Sequence, residues 1–218
     1  MKKAILVDID DCIIDVTNRK AKIFSFILNR KITKKDVIGK RTAEVLSQYV
    51  NQKEIQKYRK RFWEIAFCLD KIGLNFLKYD KPVPYSRKVL RKISNNYEIL
   101  YISSRIESML NISIEQLKKF NFPYYNNVYH ASDSYFLMDI KSARSDVLSK
   151  IPKNYEYFCV IDDMPDNFEL YKLIKIPHIV GFLRYVVLDE KQYWLNGATY
   201  VFKNWKNFPF EIFNDTKK

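Results

Sequence analysis

The chain has 218 residues, with 38 Lys and Arg against 25 Asp and Glu, a formal net charge of +13. A hydrophobic content of 47% excludes a disordered chain, and only four glycines exclude a collagen or a glycine-rich linker. Three cysteines, Cys12, Cys68 and Cys159, are too few and too scattered for a disulfide scaffold or a zinc ribbon.

The opening residues, MKKAILVDIDDCIIDV, place basic residues before apolar ones, as a signal peptide does. Asp8, Asp10 and Asp11 break the apolar run, and no small-residue cleavage site follows. No uncharged apolar stretch of about 18 residues occurs, so no transmembrane span is expected. A cytoplasmic location with free cysteines is the expectation.

Residues 4–7 are a short apolar run stopped by acids, which predicts a buried parallel strand opening onto a loop. Residues 16–30 carry apolar side chains at helical spacing, and Thr33 is a plausible cap for a further helix. Residues 53–69 form a charged and aromatic helical pattern with Tyr58, Phe62, Trp63 and Phe67. Phe62, Trp63 and Phe67 either line a substrate pocket or, as is commoner, pack helix on helix. Pro82 and Pro84 mark a boundary. Beyond it, strands are predicted at 98–102, 127–131, 157–161, 178–182 and 199–202. Helices are predicted at 85–94, 114–120, 139–150 and 168–174. Strands alternating with helices predict an α/β fold with a Rossmann-like parallel sheet. The helical stretch 16–81 interrupts that alternation and is read as an inserted cap. The core domain is then 1–15 plus 82–218.

The polar groups cluster at strand ends, where open α/β sheets bind ligands. Asp8 and Asp10 follow the first strand, Ser103 the second, and Asp162 and Asp163 the fourth; Lys141 lies on the helix before the fourth. Converging carboxylates repel each other and call for a hard cation. Oxygen ligands without spare His or Cys favour magnesium over zinc. A lysine and a hydroxyl beside such a cation suit phosphoryl transfer, with an aspartate as nucleophile. His130 and His178 are isolated and read as structural. Arg105 either binds substrate or is simply exposed.

These residues resemble the haloacid dehalogenase-like hydrolase superfamily. ILVDIDDC matches its first motif, LYISSR supplies the second with Ser103, Lys141 the third, and CVIDD the fourth. Cys12 stands where the superfamily usually has Thr or Val. The Asp-Asp form of the fourth motif and the cap position resemble helical-cap phosphatases that include the 5'(3')-deoxyribonucleotidases. The resemblance implies Asp8 as nucleophile and Asp10 as general acid/base. It implies Mg2+ held by Asp8, the Asp10 carbonyl and Asp163, with Asp162 also a candidate. Ser103 and Lys141 would bind the phosphoryl group, and Asp166 and Asn167 would orient the loop.

The expected activity is a magnesium-dependent phosphomonoesterase using an aspartyl-phosphate. Its expected substrate is a small phosphorylated metabolite, with a nucleoside monophosphate the first guess. The alternatives are a phosphatase of nucleic-acid ends and a non-catalytic phosphate-binding protein. No membrane partner is expected, and nucleic acid is disfavoured because no recognition module is present. Residues 16–81 hold 17 Lys and Arg against six Asp and Glu. The excess charge thus sits in the proposed cap, where it would draw in phosphate esters.

Overall fold

Six apolar runs become the strands of one sheet: β1 (Lys2–Asp8), β4 (Glu98–Ile106), β5 (Val128–Ala131), β6 (Tyr155–Asp162), β7 (His178–Phe182) and β8 (Tyr200–Phe202). Two further short strands, β2 (Ile14–Asp15) and β3 (Lys81–Pro82), form a separate two-stranded ladder. The computed structural model describes residues 2–185 and 189–213. It divides into two compact units, Met1–Ile13 with Pro82–Lys218, and Ile14–Lys81.

In the larger unit the sheet order is β5-β4-β1-β6-β7-β8, and every pair is parallel. The runs AILV, ILYI and FCVI are buried on both faces, as parallel strands covered by helices must be. From β1 the chain builds outward through β4 and β5, then returns to the other side of β1 with β6. The direction of growth therefore reverses between β1 and β6, the kind of point where α/β sheets open a crevice.

Among the described residues, the α-helices of this unit are α6 (Ser86–Ile93), α7 (Leu110–Lys119), α8 (Ile140–Lys150), α9 (Phe168–Leu173) and α10 (Glu190–Leu195). Helix α8 begins where Asp139 accepts a hydrogen bond from the Ser142 N–H at 2.9 Å. Its inward residues Ala143, Val147 and Leu148 share a core with Phe168 and Tyr171 of α9 and Tyr193 of α10. The sheet contributes Ala4 and Leu6 of β1, Leu100 and Ile102 of β4, and Val160 of β6 to the same core. Side chains alternate along a strand. The face carrying Ala4 and Leu6 therefore continues to Asp8, and the face carrying Val160 continues to Asp162. Both carboxylates emerge on the side covered by α8.

The strand expectations hold for all six runs. Helix α7 starts four residues before its predicted position, because Ser113 and Gln116 occupy its buried face and break the apolar period. Helix α10 falls outside the predicted elements; it is six residues long and capped by Asp189.

The smaller unit holds α1 (Thr17–Leu28), α2 (Lys34–Val37), α3 (Thr42–Leu46), α4 (Ile55–Ala66) and α5 (Lys71–Leu74). Thr33 and Asp36 form a reciprocal cap at the start of α2, with the Thr33 N–H 2.7 Å from Asp36 Oδ2. Helices α1 and α4 meet through Phe24 and Phe62, whose stacked rings lie 4.4 Å apart. Phe62 is buried, Trp63 packs on its edge, and Trp63 in turn meets Phe67. Phe24, Phe62 and Trp63 pack within the unit's own core and its margin. Arg19 and Asp80 form a buried ion pair at 3.3 Å.

Candidate active site

Asp8 ends β1 and is 4% exposed. Opposite it, β6 ends at Asp162, and Asp163 follows; both are buried. One carboxylate oxygen from each of Asp8, Asp162 and Asp163 lies within 4.8 Å of the others. Burial pushes the Asp8 carboxyl up to about 8; Arg144 pulls it down and Asp162 adds to the rise.

The cation beside these groups is Arg144, not Lys141. Arg144 is 3% exposed and projects from the inward face of α8 between Ala143 and Val147. Its Nη2 donates to Asp8 Oδ1 and lies 3.5 Å from Asp162 Oδ2. Burial works against its charge, yet Tyr171, Asp8 and Asp162 together hold its pKa above the ordinary value. Two more of its nitrogens, Nε and Nη1, are buried with no hydrogen-bond partner among the described residues.

Lys141 lies one turn nearer the start of α8, and 53% of its side chain is exposed. Its Nζ pairs with Glu169 at 3.1 Å. The expectation that Lys141 joins the carboxylates is therefore corrected: a residue at that point of α8 points to solvent, while the cation on the apolar stripe turns inward. Lys150 is also engaged elsewhere, with Glu107 and Asp146.

Asp162 and Asp163 are held differently. The Met164 N–H donates to Asp162 Oδ1 at 2.7 Å, and Asn167 Nδ2 donates to Oδ2 at 3.0 Å. The Tyr171 hydroxyl donates to the same Oδ2. Protein donors thus occupy both Asp162 oxygens, and Asn167 does orient this loop. Asp163 is anchored through its main chain, where its carbonyl accepts from the Tyr193 hydroxyl at 2.6 Å. Tyr193 rests on Gly181 of β7, where an added Cβ would come within 2.5 Å of the ring. Gly181→Ala is expected to cost about 1–3 kcal/mol in a urea unfolding titration. An unchanged midpoint would show that the ring gives way freely.

Asp10 lies just past β1, before a left-handed turn at Asp11 (φ 60°). Both of its oxygens accept from Arg105: Oδ2 from Nε at 2.8 Å and Oδ1 from Nη2 at 2.6 Å. Arg105 is only 1% exposed and reaches Ser113 and Gln116 on α7 with Nη1. It is neither exposed nor open to substrate. Ser103 is buried next along β4 from Ile102, the residue in register with Asp8. Its Oγ accepts from the Arg105 N–H at 3.2 Å, which leaves the hydroxyl hydrogen to donate.

Cys12 is buried, and burial pushes its thiol well above the ordinary range, so it is no nucleophile. Its carbonyl accepts from Trp205 Nε1 at 2.9 Å, which fastens the loop after β1. His130 is buried, and its pKa falls to about 4 through burial and the nearby Arg105. His178 packs against the Phe158 ring. Neither histidine belongs to the carboxylate cluster.

With one oxygen each within 4.8 Å of the others, the three carboxylates are close enough together to hold a metal ion. The donor set, all carboxylate oxygen, is also the one a hard cation prefers.

No protein-family model matches the chain, and no curated protein matches it. Solved structures do match it over nearly its whole length. A haloacid dehalogenase-like family hydrolase from Streptococcus pneumoniae has a TM-score of 0.66 and 11% identity, covering 92% of this chain and 93% of that one. A conserved haloacid dehalogenase-like protein of unknown function from Agrobacterium tumefaciens gives 0.62 and 13%, covering all of both chains. A HAD family hydrolase from Deinococcus radiodurans, solved with bound phosphate and sodium, gives 0.60 and 12%, covering 94% and 92%. The chain has the haloacid dehalogenase-like fold. Within that fold, Asp8, Asp162 and Asp163 meet at the carboxyl ends of β1 and β6, where the sheet changes direction. No helix among the described residues is long and apolar enough to cross a membrane.

Proposed function

We propose that this chain is a magnesium-dependent phosphomonoester hydrolase. It works through an aspartyl-phosphate on a small phosphorylated metabolite, with nucleoside monophosphates the first class to try. One observation carries the reading. Beside the buried Asp8 carboxylate, Arg144 keeps two buried N–H-bearing nitrogens without a partner among the described residues. Buried donors are rarely left unsatisfied, and a phosphoryl group would supply the acceptors.

Asp8 attacks phosphorus, and the leaving oxygen departs with a proton from Asp10. Asp10 then takes a proton from water as that water displaces phosphate from Asp8. Ser103 donates its hydroxyl to a phosphoryl oxygen, and Arg144 carries the charge-neutralising role first expected of Lys141. Asp8, Asp163 and the Asp10 carbonyl would hold magnesium, which when bound neutralises charge on the phosphoryl oxygens. The resemblance to the superfamily's fourth motif favours Asp163 over Asp162 for that role. The unit Ile14–Lys81 is assigned the selection of substrate, as the inserted cap. The hydrolase from Deinococcus radiodurans, solved with bound phosphate, supports the same reading by its likeness of fold.

The test is phosphate release from a panel of phosphorylated metabolites and 4-nitrophenyl phosphate, with magnesium and with EDTA. Release that depends on magnesium is expected. No release from any ester with magnesium would overturn the proposal, and release undiminished by EDTA would remove the metal from it.

A further inference from the structure

We propose that Arg105 is a positioning residue that fixes the angle at which the Asp10 carboxylate meets the reacting phosphoryl group. The inference rests on the hydrolase reading above and concerns a residue with no role in it.

Arg105 grips both oxygens of Asp10 with Nε and Nη2, at 2.8 and 2.6 Å. This is the planar, two-bond fork that a guanidinium makes with a carboxylate, and it fixes orientation as well as position. The other end of the guanidinium is built in. Nη1 donates to Ser113 Oγ at 2.8 Å and to Gln116 Oε1 at 3.0 Å. Its backbone N–H donates to Ser103 Oγ, so the Arg105 main chain and the proposed phosphate-binding hydroxyl are coupled as well.

Stability alone does not account for this arrangement. A buried ion pair is often no more stabilising than apolar residues of the same volume. Here α7 gives two inward positions to polar side chains, and both are spent on Arg105. The far end of that chain of bonds is a carboxylate that stays 29% exposed, just past the end of β1. The assembly runs from a helix in the core, through one rigid cation, to the carboxylate proposed as general acid and base.

The step that depends most on this angle is hydrolysis of the intermediate. A water oxygen attacks phosphorus, the bond from phosphorus to the Asp8 oxygen breaks, and one water proton passes to an Asp10 oxygen. Inorganic phosphate leaves, and the carboxylate of Asp8 is restored. Misplacing such a base by about 1 Å costs on the order of 100-fold.

The experiment uses 4-nitrophenyl phosphate with magnesium, in the steady state and in rapid mixing. Nitrophenolate leaves with little help from an acid, so formation of the intermediate is spared when Asp10 is misaligned. For Arg105→Gln, kcat is expected to fall about 100-fold while kcat/KM holds within about threefold. A burst of about one nitrophenolate per site should appear as phosphorylated Asp8 accumulates. Arg105→Lys, which keeps the charge but not the fork, should fall between Gln and the wild type. If Arg105→Gln does not fold, Gln116→Leu loosens the outer anchor and should show the same pattern at about 3–10-fold. Folded variants with unchanged kcat, or with kcat and kcat/KM falling together and no burst, would overturn the inference alone. No turnover by the wild-type protein would overturn the hydrolase reading and this inference with it.

Discussion

Asp8→Asn is expected to abolish phosphate-ester turnover, by at least about 10⁴-fold, in a protein that still folds. The amide has the shape of the carboxylate but cannot attack phosphorus. Stability should not suffer, because burial disfavours the charged form of Asp8 and Arg144 keeps Asp162 beside it in the variant. Two terms compete there: burial and Asp162 raise its pKa, and Arg144 lowers it. The rise wins, to about 8, against an ordinary value near 4. A carboxyl whose folded pKa is raised stabilises the fold least at high pH. Its penalty is absent below about pH 4, where both states are protonated, and grows as pH climbs toward 8. The amide of the variant carries no such penalty at any pH. Thermal melts at pH 8 without magnesium should therefore place Asp8→Asn at or above the wild type. A variant that melts far lower would mark Asp8 as a structural group, and residual wild-type turnover would remove it as nucleophile.

The carboxylate cluster was readable from the sequence because strand direction carries it. Once residues 4–7 and 157–161 are parallel strands, their acids fall at the same end of the sheet, where Asp8, Asp162 and Asp163 meet. What the sequence could not convey is which neighbour faces inward. Lys141 and Arg144 stand three residues apart on one helix, and spacing from the fourth motif does not separate them. The available signal was the apolar stripe Ala143, Val147 and Leu148, in which Arg144 is the one charged side chain. A cation on a buried stripe breaks the local pattern, and such breaks mark functional sites.

Arg105 was illegible for a different reason. Its position three residues past Ile102 gives no face, because the ladder between β4 and β5 slips between Ser103 and Ile106. The donors that hold Asp162, from Met164, Asn167 and Tyr171, were equally out of reach, because they lie on the loop and helix beyond the motif. Under the proposed function, substrate choice is assigned to the unit Ile14–Lys81. Within it, Phe24 and Phe62 serve as helix packing.

Arg144 should prove indispensable where Lys141 is not, and the comparison separates two assignments that the sequence could not. Lys141→Met removes a half-exposed side chain whose partner is the exposed Glu169. Exposed pairs contribute about 0–1 kcal/mol, so kcat and KM should both stay within about twofold. Arg144→Lys keeps one positive charge but loses the fork and its unpartnered nitrogens. Turnover should fall on the order of 100–1,000-fold, as when one fixed donor to a developing anion is removed. Arg144→Met goes further. It takes from Asp8 and Asp162 the guanidinium that now lies beside both, and removing one partner of a buried pair costs about 3–5 kcal/mol. A divalent ion can make good that loss of charge. The melting temperature of Arg144→Met should therefore rise with magnesium much more steeply than that of the wild type. If magnesium lifts both proteins equally, Arg144 does not share the carboxylates' charge with the ion. If Lys141→Met loses as much activity as Arg144→Lys, the inward-facing cation is not the one that serves the phosphoryl group.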